Sequence, residues 1–453
     1  MDLQIFVLSN ILFSTIFFFH YYNSYCCSGG TTTSFDLHPP DEKPSNSNEL
    51  GEILRLHGIN DGHAKISSKG MMTVADFGAK GDSKTDDSKA FLKAWMEACS
   101  SKNDISLVIP KKKLYRLKPV TFLGPCKSNI TIKIDGAIEA SVNRSDYKGH
   151  WIISKKIKNL IVEGDGTING NGNIWWKNSC KINSSLPCTH APTALSFIEC
   201  KNLRVENITV KDAQQMHLTF QKCMNVEARN LLITAPKESP NTDGIHVTRT
   251  QNIKIINSVI STGDDCISIV SRSKKVHAIN TTCGPGHGIS IGSLGRRNSE
   301  DYVSHVMIDT ATLNKTTNGV RIKTWQGGSG KANNISFKNI VMYDVKNPII
   351  IDQNYCDQDD PCDEQESRSA VQISGILYKN ITGTSASEVS VRFRCSKNHP
   401  CRDIVLQDIN LVRVDRGKTV KASCNNVKWT QIGEVLPGCS SDNLFVYIAT
   451  IAL

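Results

Sequence analysis

The sequence predicts an all-β fold, a single-stranded parallel β-helix (solenoid) with one capping helix at its N-terminal end. Three observations carry that expectation. From Ile105 to about Val435 the chain is a succession of short β-rich runs separated by Gly, Asn, Asp and Ser, without helical periodicity. One phrase recurs there in variant form, as Asn202-Leu-Arg-Val-Glu-Asn-Ile-Thr-Val210, Asn225-Val-Glu-Ala-Arg-Asn-Leu-Leu-Ile233 and Asn252-Ile-Lys-Ile-Ile-Asn-Ser-Val-Ile260. Finally, when the corners leading into the strands are aligned, Asp243, Asp265 and His287 fall in one column, 22 residues apart at each step. A coil of that length with one short strand per pass stacks at the ordinary strand spacing of about 4.8 Å. A sandwich or propeller would need hairpin turns at regular spacing. The Asn-Gly and Asp-Gly pairs present do not separate paired strands.

The elements follow in order. Ile5 to Phe19 is an apolar run of signal-peptide length and short for a membrane span, with small residues Ser24 and Ser28 beyond it. Residues 1–27 therefore read as a signal peptide, although Asp2 is the lone charge before the run and an uncleaved anchor is the alternative. Residues 28–70 are rich in Ser, Asn, Gly, Pro and charge and read as a flexible leader or pro-segment. The solenoid spans 71–440. It opens with a strand at Val74–Ala79 and a turn at Lys80-Gly81-Asp82. Thr85-Asp86-Asp87 then supplies a helix N-cap and acidic first turn. Ala90, Phe91, Ala94, Trp95 and Ala98 recur at helical spacing and form the lid that a solenoid end needs. Asp82, Asp86 and Asp87 lack the spacing of a calcium loop. In the repeats, alternation turns Ile, Leu and Val inward and charge outward, and a repeated corner Asn forms a stacked amide ladder. The apolar tail 441–453 is too short to span a bilayer.

Sixteen cysteines and eight Asn-x-Ser/Thr sequons, at Asn129, Asn143, Asn183, Asn207, Asn280, Asn314, Asn334 and Asn380, suit a secreted, extracellular protein. Neighbouring cysteines suggest the pairs Cys180–Cys188, Cys266–Cys283, Cys356–Cys362, Cys395–Cys401 and Cys424–Cys439, with Cys99–Cys126 the sixth. Cys200 and Cys223, about one coil apart, stack or stay as buried thiols. The net charge of +10 suits an anionic partner. No Lys/Arg run with interleaved aromatics points to nucleic acid, and no paired Cys-x-x-Cys knuckle points to a metal.

The chemistry lies in the column. Asp243, Asp264 and Asp265 are like charges in a small space, so at least one must hold its proton to higher pH. Hydrolysis of a glycosidic bond needs that division: one carboxyl protonates the departing oxygen while carboxylate activates water. His287 is placed to hold a neighbouring carboxyl's proton state. Arg321 and Lys323, two apart on one strand face, are placed to grip a substrate carboxylate. An acidic sugar fits both the cations and the net charge.

Together Asn241-Thr-Asp243, Gly263-Asp-Asp265, Gly286-His-Gly288 and Arg321-Ile-Lys323 resemble the four signature motifs of the polygalacturonases, glycoside hydrolase family 28. The likeness runs from about Val74 to Cys439, and the wording of Cys283 to Gly295 resembles the plant branch. The resemblance implies a right-handed β-helix that hydrolyses α-1,4 bonds of de-esterified pectin with inversion, using no cofactor and no metal. It implies Asp264 as general acid, Asp243 and Asp265 as the water-activating carboxylates, and His287 as the tuner of the acid. Arg321 and Lys323 would hold the galacturonate carboxylate, with Tyr355 and Asn241 as further substrate-binding residues. The expected partner is an acidic polysaccharide of the cell wall, met by a monomer that binds neither nucleic acid nor, once the signal is removed, membrane. Endo action is preferred from likeness to fruit-type enzymes, and exo action depends on loops at the groove ends. A calcium-dependent pectate lyase would need an acidic calcium cage. A pectin-binding wall protein would have no use for three carboxylates.

Overall fold

The computed structural model describes residues 70–356, 370–415 and 417–440. The signal peptide, almost all of the 28–70 segment and the 441–453 tail lie outside the described residues. The chain winds as a parallel β-helix: a 19-stranded sheet and an 11-stranded sheet, with parallel ladders throughout, share each coil. The smaller sheet positions the site. Its strands are β1 (Val120–Leu123), β2 (His150–Lys155), β3 (Thr193–Ile198), β4 (Leu218–Gln221), β5 (Ile245–Thr248) and β6 (Ile267–Ile269). They continue as β7 (Ile289–Leu294), β8 (Asn318–Trp325), β9 (Asn347–Tyr355), β10 (Val389–Arg394) and β11 (Lys421–Asn425).

The alternation read from the sequence becomes stacked columns. Leu203, Val226, Ile253, Val276, Val306, Ile335, Ile376 and Ile404 lie in register on successive coils of the larger sheet. All eight are buried. Each such side chain contributes roughly 1.5–3 kcal/mol by leaving water. The larger aromatics stack likewise, Phe197 on Phe220 and Phe337 on Tyr378.

Corners hold this register. Asn159, Asn202, Asn225 and Asn252 all adopt left-handed backbone, with φ between 53° and 58°. Asn tolerates that conformation because its short amide bonds locally. Each Nδ2 donates to the Oδ1 of the residue below, from Asn252 down to Asn129, at 2.8–2.9 Å. The expected amide ladder is present.

The N-terminal end departs from expectation at two points. Met71–Thr73 is the strand, and Val74–Phe77 is a turn of 3-10 helix. Thr73 and Asp76 cap that turn reciprocally, which outweighs the β-propensity of Val74 and Phe77. Helix α1 (Ser88–Ser100) forms as its periodicity requires and buries Phe91, Leu92, Ala94, Trp95 and Ala98. Its first turn, however, contains no acid, and Asp87 does not cap it through its side chain. That carboxylate turns back to accept from the Lys80 and Gly81 backbone N–H groups, at 2.8 and 3.1 Å, while Asp86 accepts from Ser88. Trp95 Nε1 donates to the Leu123 carbonyl, and the Cys99–Cys126 disulfide ties the helix to the chain leaving β1. A four-residue helix at Asn173–Trp176, too short to show periodicity, was not foreseen.

Five of the expected disulfides are present: Cys99–Cys126, Cys180–Cys188, Cys266–Cys283, Cys395–Cys401 and Cys424–Cys439. Cys362, expected to join Cys356, lies outside the described residues. Cys200 and Cys223 are free, buried thiols. Among the described residues no helix is long and apolar enough to cross a membrane.

Candidate active site

The corners entering β5, β6 and β7 build the acid cluster. Register sets Ile245 on Ile267 and Ile267 on Ile289, so Asp243, Asp265 and His287, each two residues earlier, occupy equivalent places on three successive coils. Glycine is required around them. A side chain at Gly263 would strike the Ser239 carbonyl, and one at Gly288, where φ is 83°, would strike the carbonyl of Asn318. The Cys266–Cys283 disulfide fixes the backbone just after Asp265 to the strand that feeds the next corner.

The side chains do not stack straight up the column. His287 reaches diagonally, with Nδ1 2.8 Å from Oδ1 of Asp264. Asn241 Nδ2 donates to the other Asp264 oxygen at 3.4 Å. Asp265 instead gathers the cations: Arg321 Nη2 lies 2.9 Å and Lys323 Nζ 3.0 Å from its two oxygens. Ser290 Oγ donates to Asp265 at 2.7 Å and accepts from Arg321 Nε at 3.0 Å. Asp243 accepts from Ser268 Oγ at 2.6 Å, and His246 Nδ1 lies 2.8 Å from the same hydroxyl. Tyr355 packs its ring 5.3 Å from Lys323 Nζ and edge-on to Trp325. All eight residues singled out in the sequence therefore meet in one neighbourhood.

The cluster is a recessed floor, not the exposed ladder on an outer wall that the column alone suggests. Asp243 and Asp265 are 8% and 2% exposed, and Asp264 is the accessible acid, with 19% of its side chain open. Burial pushes the Asp243 carboxyl well up, and the charges of Asp264 and Asp265 push it further. Burial would raise Asp264 too, but the hydrogen bond and charge of His287, with Lys323 and Arg321, outweigh it and hold that carboxyl well below the usual range. In the free site the proton thus resides on Asp243 while Asp264 is ionised.

Four polar residues escaped the sequence reading. Ser268 and Ser290 follow Asp265 and His287 by three residues, as His246 follows Asp243. That shared offset puts His246, Ser268, Ser290 and Arg321 in one outward column, which is the signal that could have found them. His217 is fully buried, and burial pushes its imidazole down to about 4. It stays neutral, with Nδ1 3.0 Å from the Asp243 carbonyl oxygen, and fixes that corner from beneath. The acids' counter-charges are Arg321 and Lys323. Among the described residues no group of three or more His, Cys, Asp or Glu is arranged to hold a metal ion.

Residues 99–435 match the sequence family described as Glycosyl hydrolases family 28. The chain belongs to that family. Among curated relatives of this family-28 chain, Polygalacturonase QRT2 of Arabidopsis thaliana is 59% identical over 382 residues, covering 84% of this chain and 86% of that protein. Polygalacturonase-2 of Solanum lycopersicum is 55% identical over 386 residues, covering 84% of each. Among solved structures, the polygalacturonase of Erwinia carotovora superposes with a TM-score of 0.66 at 22% identity, over 82% of this chain and 99% of that one. At that identity the likeness establishes the shared β-helix.

Proposed function

We propose that this family-28 enzyme hydrolyses the α-1,4-galacturonosyl bonds of de-esterified pectin outside the cell. Five disulfides suit an oxidising compartment, and relatives named polygalacturonase cover most of the chain. The observation that carries the reading is the pairing of opposites in the site: three carboxyls beside Arg321 and Lys323, both within 3.0 Å of Asp265. A neutral sugar has no use for those cations, whereas a galacturonate carboxylate does.

Asp264 is the acid in this scheme because, of the three, it is open enough to meet the departing oxygen. Its proton passes to the glycosidic oxygen as the bond to the anomeric carbon breaks. Water attacks from the opposite face, and Asp243 or Asp265 takes its proton. Inversion, the outcome of a single displacement, is carried from the family resemblance. The free site keeps the shared proton on Asp243, so substrate must move it. A galacturonate carboxylate on Arg321 and Lys323 offsets the positive field that holds Asp264 ionised and raises its proton affinity where the reaction needs it. His287 and Asn241, on the two oxygens of Asp264, orient the acid.

Incubation with polygalacturonate, following viscosity against reducing ends, tests the activity. A steep viscosity fall at low conversion is expected of an endo enzyme, and released monomer with little thinning would reassign it as exo. Asp264→Asn should lower kcat by about 10²–10⁴-fold while polygalacturonate binding persists, and appreciable residual turnover would remove Asp264 from the acid's role.

A further inference from the structure

The catalytic cations have a copy. In the smaller sheet Arg321 of β8 lies in register with Ile350 of β9 and Arg392 of β10, and Lys323 with Asp352 and Arg394. The Arg-x-cation pattern of β8 thus returns two coils later on the same outward face, since Val391 and Phe393, which alternate with these residues, are buried. The two cation pairs are not equivalent in charge. Arg394 sits 3.6 Å from Asp352, which offsets it. The Arg392 side chain makes no ion pair or hydrogen bond among the described residues. Between the two arginines stands Ile350, outward-facing yet 7% exposed.

We propose that Arg392 is a second carboxylate-binding rung, which takes the uronate two sugars along the polymer from the one held at Arg321. The inference rests on the acidic polysaccharide reading above and extends its binding groove. Two coils amount to roughly 9–10 Å at the strand spacing, a length of the same order as two units of an extended pyranose chain. When such a chain takes a two-fold twist, alternate sugars turn their carboxylates to the same wall. The column answers in kind: cation at Arg321, apolar Ile350, cation at Arg392. Ile350, almost wholly buried, sets no competing charge between the rungs, and the carboxylates of the sugars on either side meet guanidinium. Binding here would govern how long a chain is needed for tight association and which bond lies over Asp264. It would not alter the chemical step.

The test is Arg392→Gln, with Arg392→Lys as the charge-preserving control. Against polygalacturonate, KM should rise about threefold to tenfold, as expected for a partly buried charge-assisted contact, with kcat near the parent's. Digalacturonate, one unit too short to reach from Arg321 to Arg392, should bind the Arg392→Gln variant as tightly as the parent. End-labelled hexagalacturonate should show a changed distribution of cleaved bonds, which the Lys variant largely restores. Unchanged KM and an unchanged bond distribution would overturn the rung. If the parent binds polygalacturonate without cleaving it, the proposed activity fails instead. The rung is then judged on hexagalacturonate affinity alone, and Arg392→Gln binding as tightly as the parent would overturn it.

Discussion

Replacing Asp243 by Asn separates what the acid cluster does for catalysis from what it does to stability. Asp243 is 8% exposed, lies beside two other carboxyls, and has as its side-chain donor a hydroxyl, Ser268 Oγ at 2.6 Å. Asp265, by contrast, has both cations. Asn keeps the shape and still accepts from Ser268, but removes a buried acid that resists ionisation. The variant should gain about 1–2 kcal/mol at neutral pH, a few degrees in Tm, while turnover falls by about 10²–10⁴-fold. The sign follows from linkage. Folding raises the proton affinity of Asp243, so the folded parent keeps that proton after the unfolded chain has lost it near pH ~4. Parent stability therefore falls as pH climbs from about 4 toward the raised value. The Asn variant lacks that loss, and its advantage widens over the same window. Urea unfolding of both proteins between pH 4 and 7 reads the difference directly. A variant no more stable than the parent at pH 7, or an advantage that narrows with pH, would refute the account of Asp243 as the costly acid.

Two other perturbations follow. His287→Ala removes the hydrogen bond and charge that hold Asp264 low. The limb of the kcat/KM profile governed by Asp264 should move to higher pH, and a superimposable profile would show that the 2.8 Å contact does not tune the acid. In the corner ladder, Asn225→Ala loses the bonds to Asn202 and Asn252 and forces alanine to a φ of 58°. Together these should cost roughly 2 kcal/mol, whereas Asn225→Gly escapes the backbone strain and should cost less. Equal urea midpoints for the two variants would remove the strain from the explanation.

The solenoid was legible because its determinants are local and repeated. Period-two alternation made the columns from Leu203 to Ile404, and Asn at left-handed corners made the ladder from Asn159 to Asn252. The site was legible because equal coil lengths turn sequence spacing into vertical distance, which put Asp243, Asp265 and His287 in line. What spacing could not give was the lateral reach of each side chain. His287 meets Asp264 and not Asp265, which lies directly beneath it in the column, because the ring leans across the corner. Ser268 and Ser290 carry no chemical signature of their own, and only the register shows what they touch. Asp87 misled for a related reason. A carboxylate before a helix is an expected cap, but two backbone N–H groups in the preceding turn claimed it.

A solenoid also explains why this acid cluster is crowded. Residues at equivalent places on neighbouring coils are separated by the strand spacing of about 4.8 Å and by no other distance, so a catalytic pair drawn from them comes with repulsion built in. The same geometry supplies the remedy. Arg321 and Lys323 come from the coil after His287, and the stacking that crowds the acids brings both within 3.0 Å of Asp265. Asp264 is thus kept ionised by its neighbours while Asp243 carries the proton. Because side chains alternate along a strand, one residue inserted into the β6 corner would turn Asp265 to the other face, away from Arg321 and Lys323. Coil length is therefore as much a part of the active site as the carboxylates, since it is what sets acid, proton partner and cation on the same face.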